Sequence, residues 1–96
     1  MKLFSEREIF AAYDHADAGG QALHVHGMSQ GHRLFARYAE IGHLIDNDKE
    51  RLVTTAKQLG VRVIKVERVG HRGQHIDLCG KPFEKAKEMC EQPSLL

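Results

Sequence analysis

The sequence predicts an α/β chain. The expected form is one small domain over residues 1–96, a short mixed sheet of about three strands packed by helices, with an added N-terminal helix. Two helical patterns, each opened by a capping sequence and closed by glycine, lie at 6–17 and 47–60. An alternating segment at 22–26 follows the first, and a β-branched segment at 61–66 follows the second. Helix, glycine and apolar strand in succession make the αβ half of a βαβ unit. On this reading 1–20 is the helical addition and 22–90 the α/β core.

Ser5-Glu6-Arg7-Glu8 spells a capping box, and Phe4 and Ile9 stand where a hydrophobic staple would close it. Ile9, Phe10, Tyr13 and Ala16 then share one helical face, and Gly19-Gly20 ends it. Ala22-Leu23-His24-Val25-His26 alternates as a strand does, before a glycine-punctuated loop at 27–32. The stretch 34–45 fits a helix through Leu34, Phe35, Tyr38, Ile41 and Ile45. It fits a strand through Phe35, Ala39, Ile41, His43 and Ile45.

Asn47 is the expected cap of the next helix, Leu52, Val53, Ala56 and Leu59 its buried face, and Gly60 its C′ residue. Val61-Arg62-Val63-Ile64-Lys65-Val66 reads as an interior strand packed on both sides. A basic glycine loop at 70–74 and the segment His75-Ile76-Asp77-Leu78 follow. Pro82 suits the first turn of a last helix, striped by Phe83, Ala86, Met89 and Cys90 and stopped by Pro93.

Composition bounds the function. The chain has 14 Lys+Arg, 13 Asp+Glu and 7 His, a formal charge of +1 that seven histidines can raise. With 42% hydrophobic and 28% charged residues it has a globular balance, which excludes a disordered tail, a collagen-like repeat and a disulfide scaffold. No apolar run approaches the roughly 18–20 residues of a membrane span. Charge appears too early in Met1-Lys2-Leu3-Phe4-Ser5-Glu6 for a signal peptide. Cys79 and Cys90 form no C-x-x-C pair, so a reduced, cytoplasmic protein is expected. Basic residues gather late: Arg62, Lys65, Arg68, Arg72, Lys81, Lys85 and Lys87 stand against Glu67, Asp77 and Glu84 over 61–87. That balance suits an anionic small molecule or nucleic acid, or simply a solvated surface. A chain of this length is marginal alone, so a homodimer is a further expectation.

Several constellations can carry chemistry. His24-x-His26 on a strand projects two imidazoles to one face, where His75 and Asp77, or His32, can complete a set for a divalent metal such as Zn, Ni or Mn. A strand face that shows histidines to water has the same spacing. His75-x-Asp77 suits a carboxylate that orients or co-ligates a histidine, and equally an Asp that caps a turn. Arg68, His71, Arg72 and His75 surround two glycines whose amides can turn inward on a phosphate. The loop lacks the Walker pattern, and a plain solvated connection has the same composition. His43, in Ile41-Gly42-His43-Leu44-Ile45, reads locally as a core histidine with its ring satisfied. Ser29 sits in a G-x-S-x-G spelling, but the chain is too short for the hydrolase fold that gives it meaning. Cys79, near Lys81 but with no paired histidine in local sequence, reads as structural.

Taken together, 22–90 resembles a family of small bacterial and phage proteins known only as a domain of unknown function. The family starts a strand with a V-Y-V-D-like run, then has a C-H-L-[IM]-A-D junction, a helix ending L-G-[VL] and an H-Y-D-[LI] segment before a basic final helix. Leu23-His24-Val25-His26, Gly42-His43-Leu44-Ile45-Asp46-Asn47, Leu59-Gly60-Val61 and His75-Ile76-Asp77-Leu78 stand in those places, followed by Lys81, Lys85 and Ala86. The acidic position of the first strand falls on His26 or Gly27, and the junction Asp on Asn47. The resemblance implies a strand near 37–45, and histidines 24, 26, 43 and 75 meeting with Asp77 at one end of the sheet.

The function expected from all this is binding of an anionic, phosphate-bearing or metal-linked ligand by His43, Arg68, His71, Arg72, His75 and Asp77. One alternative is a divalent-metal hydrolase with His24, His26, His75 and Asp77 as ligands. Another is a non-catalytic interaction or dimerisation module. No catalytic residue is assigned.

Overall fold

The computed structural model describes residues 1–26 and 41–91. Strand β1 (Lys2–Phe4) leads through a 3-10 turn (Glu6–Glu8) into helix α1 (Ile9–Asp17). Strands β2 (Ala22–Val25) and β3 (Gly42–Ile45), helix α2 (Lys49–Gln58), strand β4 (His75–Leu78) and helix α3 (Gly80–Glu91) follow. The sheet order is β1-β2-β3-β4, with β1 parallel to β2 and the other pairs antiparallel. The chain is thus α/β with a mixed sheet, of four strands where about three were expected. No helix of the described residues is long and apolar enough to cross a membrane.

The extra strand changes the role of the N-terminal helix. Because β1 pairs in parallel with β2, α1 is the crossover of a βαβ unit and covers a face of the sheet. Three residues, Lys2-Leu3-Phe4, are too few for alternation to be visible in sequence. The Ser5 amide donates to the Glu8 carboxylate at 2.8 Å, and Ile9 packs with Phe4, as the capping box and staple require. Phe10 departs from expectation. It is 70% exposed, and Ala12, outside the expected face, is buried beside the expected Ala16.

The stretch 61–66 is not a strand. Val61, Ile64 and Val66 lean on the core, while Val63 is 84% exposed. β3 pairs instead with 75–78, and the isolated bridge from Glu67 to His75 joins the chain just after 61–66 to that strand. β-branched composition reflects fit to a pleated surface, and here the pleated surface was filled by other residues. The stretch left open by its periodicity is a strand at Gly42–Ile45, and its earlier part, 34–40, lies outside the described residues.

Side chains on the two sheet faces follow from register. Leu23, Leu44, Ile76 and Leu78 point to one side, where Leu52, Ala56, Leu59, Phe83 and Ala86 of the α2 and α3 regions bury them. Gly42 allows that packing, since a Cβ there would stand 2.5 Å from the Phe83 ring. Phe4, Ala22 and Ile45 point to the other side and meet Ala12 and Ala16 of α1.

Asp48, not Asn47, caps α2, its carboxylate accepting from the Arg51 amide at 3.1 Å. Asn47 turns away to donate to Asp17 at the end of α1. Asp46 is fully buried and accepts from Arg51 Nε at 2.6 Å and Nη2 at 2.7 Å. Arg51 also donates to the Gly19 and Gly20 carbonyls, so one guanidinium ties the starts and ends of two helices.

Candidate functional site

Helix α1 covers only the apolar part of its sheet face. The rest of that face is polar, because register sets His24, His43 and Asp77 side by side on β2, β3 and β4. His75, two residues before Asp77, projects to the same side. The Asp77 Oδ1 atom lies 3.3 Å from His43 Nε2 and 3.4 Å from His75 Nε2. The two imidazoles stack with centroids 4.5 Å apart, and the His26 ring stands 5.0 Å from that of His43.

Tautomers follow from carbonyl contacts, since a carbonyl only accepts. His75 Nδ1 is 2.7 Å from the Gly73 carbonyl and therefore carries its proton. In a neutral His75, Nε2 would then aim a lone pair at the Asp77 carboxylate. A cation must lie between them, either a proton or a metal ion. Asp77 Oδ1 is itself buried without a hydrogen bond, so its two nitrogen neighbours are close in distance but poorly aligned as donors.

The protonation balance in the ligand-free cluster fits this. Burial works against a charged His75, but Asp77 and the Gly73 carbonyl outweigh it and raise its pKa. Burial likewise opposes ionised Asp77, and the neighbouring histidines, His75 foremost, outweigh it and lower its pKa. Burial, then the charge of His75, pushes His43 down to about 4. The cluster thus favours the charged form of His75 and the neutral form of His43 beside one carboxylate.

One donor atom from each of His43, His75 and Asp77 lies within 4.8 Å of the other two. Zinc bonds of about 2.0–2.2 Å in a tetrahedron place neighbouring ligand atoms about 3.3–3.6 Å apart. The two measured edges, 3.3 and 3.4 Å, have that length. The Gly73 carbonyl behind His75 is the outer partner that fixes a ligating imidazole. Three ligands among the described residues leave a tetrahedral ion one position that these residues do not fill.

His24 stands beside this group without joining it. Its Nε2–H donates to the Glu6 carbonyl at 2.9 Å, leaving a buried Nδ1 lone pair with no partner. A cleft of about 470 Å³ opens over the cluster, lined by Glu6, Ile9 and Tyr13 from the α1 side, the four histidines 24, 26, 43 and 75, and Arg68. Arg68 adopts φ 56°, and its Nε donates to the Arg72 carbonyl at 3.0 Å.

Other expected ligands lie elsewhere. Arg72 pairs with Asp14 at 2.6 Å and Asp17 at 2.9 Å, and its guanidinium lies over the Tyr13 ring. Together with His71 it lines a separate cleft of about 420 Å³. Of the four basic side chains at 68–75, the structure brings Arg68 and His75 to the histidine cleft and leaves His71 and Arg72 outside. His32 and Ser29 lie outside the described residues. The local reading of His43 as a core ring missed its place at the centre of the cluster, where β3 sets it opposite Asp77. Glu6 and Tyr13 were missed too, because nothing in a helix pattern shows which residues wall a cleft.

No protein-family model, curated protein or solved structure matches this chain.

Proposed function

We propose that this protein binds a divalent transition-metal ion through His43 Nε2, His75 Nε2 and Asp77 Oδ1, and presents the open coordination position to a small ligand in the cleft. The observation that carries the reading is Asp77 Oδ1, a buried carboxylate oxygen without a hydrogen bond, set 3.3 and 3.4 Å from two imidazole nitrogens. Nitrogen and carboxylate donors in this ratio suit Zn, Ni or Mn. The reading places the protein in a reduced, cytoplasmic setting, as two cysteines outside any C-x-x-C pattern suggest.

Metal analysis of protein prepared without a histidine tag, with Zn, Ni and Mn added in turn, tests the site. One equivalent bound, and lost in Asp77→Asn and His43→Gln, is the expected result. A folded protein that takes up no metal overturns the proposal.

The ligand count favours one chemical reading in addition. Three protein ligands and one open position is the arrangement of hydrolytic zinc centres, where the ion makes bound water acidic enough to attack. Metal-dependent turnover of an activated ester, absent in Asp77→Asn, is the result that this hydrolase reading requires.

A further inference from the structure

His24 gives the cleft a selectivity that the metal alone does not. Its ring is almost wholly buried, at 4% exposure, with Nε2–H committed to the Glu6 carbonyl. The other ring nitrogen, Nδ1, is an acceptor with nothing donating to it. A buried acceptor without a donor is costly, and a ligand that supplies an O–H relieves that cost. Arg68 lines the same cleft, its backbone held in the left-handed region and its Nε tied to the Arg72 carbonyl. A divalent ion together with Arg68 outweighs the negative charges of Asp77 and Glu6, so the loaded cleft favours an anion.

The wanted anion has oxygens for both a metal and a guanidinium, and an O–H besides. A carboxylate has two oxygens and no donor. Sulfate has four oxygens and no proton at neutral pH. Hydrogen phosphate has both.

Building on the metal site proposed above, we infer that the cleft binds the inorganic hydrogen phosphate ion, with one oxygen on the metal ion, another at Arg68, and its O–H donated to His24 Nδ1.

Calorimetry on metal-loaded protein at mildly alkaline pH, with inorganic phosphate and sulfate as probes, tests this. Phosphate is expected to bind at least tenfold more tightly than sulfate, because a site built around a hydrogen bond rejects the analogue that cannot make it. Arg68→Ala weakens phosphate binding about tenfold, the order expected for a charge-assisted hydrogen bond. His24→Phe keeps a ring of similar size and removes the Nδ1 acceptor, together with the donor to the Glu6 carbonyl. It is expected to abolish the preference for phosphate while metal stoichiometry stays at one. Metal uptake with equal affinity for the two anions, with no phosphate binding, or with equal phosphate binding by metal-free protein overturns this inference and leaves the metal site standing. Failure to take up metal removes both.

Discussion

Asp77 and His43 face each other across adjacent strands, with Asp77 Oδ1 3.3 Å from His43 Nε2. In metal-free protein that arrangement has a pH signature. His43 is held at about 4 by burial and by His75, against an ordinary value of 6.5. Between those values the unfolded chain binds more protons than the folded one. Stability therefore falls as pH drops from 6.5 toward 4. His75 acts in the opposite sense. Its pKa is raised, so its contribution is full below the unfolded value and is lost as pH rises through the folded one. Asp77, lowered from 3.8, contributes above that value and loses its contribution as pH falls through the folded one. Urea midpoints across this range, with His43→Asn beside the parent, check the sign. The variant is expected to lose less stability on acidification, and an unchanged slope contradicts the assignment. Local sequence could show His75 and Asp77 as a spaced pair but not what His43 faces. A histidine between isoleucines looks like core until a neighbouring strand supplies its opposite residue.

Elements hold the cluster in register, and their joints show where the fold is sensitive. Gly42 begins β3 one residue before His43, and a methyl group there would collide with Phe83. Gly42→Ala is expected to cost about 1–3 kcal/mol as overpacking, measured by thermal or urea unfolding. Arg51→Ala leaves the Asp46 carboxylate buried and unpaired beside the start of α2. The expected loss is about 3 kcal/mol, and a double-mutant cycle with Asp46→Asn isolates the pair's share. Both helices with clear caps were legible in sequence because capping and glycine stops act over three or four residues. The choice between Asn47 and Asp48 was not, since Asn47 is drawn off by Asp17, thirty residues away in the chain.

The whole molecule is a sheet between α1 on one side and α2 with α3 on the other, and the site lies where α1 stops covering its face. Stability is therefore expected to be uneven along the chain. Amides of 75–78, paired to β3, exchange slowly, whereas those of 61–66, outside the sheet, exchange fast. Val63→Ser is expected to change stability by less than about 0.5 kcal/mol, and Ile64→Ser by more. Hydrogen exchange and unfolding midpoints check both statements, and slow exchange across 61–66 contradicts the topology.

By itself, the sequence determined the fold class, the two capped helices, the alternating strand at 22–25 and the supply of histidines. Those properties arise from local periodicity and capping, which neighbouring residues carry between them. Tertiary structure alone decided that Lys2–Phe4 pairs with Ala22–Val25, that 75–78 pairs with β3 while 61–66, expected as an interior strand, lies outside the sheet, and that Asp77 stands between His43 and His75 at 3.3 and 3.4 Å, a meeting the resemblance implied without its geometry. Strand pairing and register depend on residues far apart in the chain competing for the same edge, and composition at either position does not record the winner.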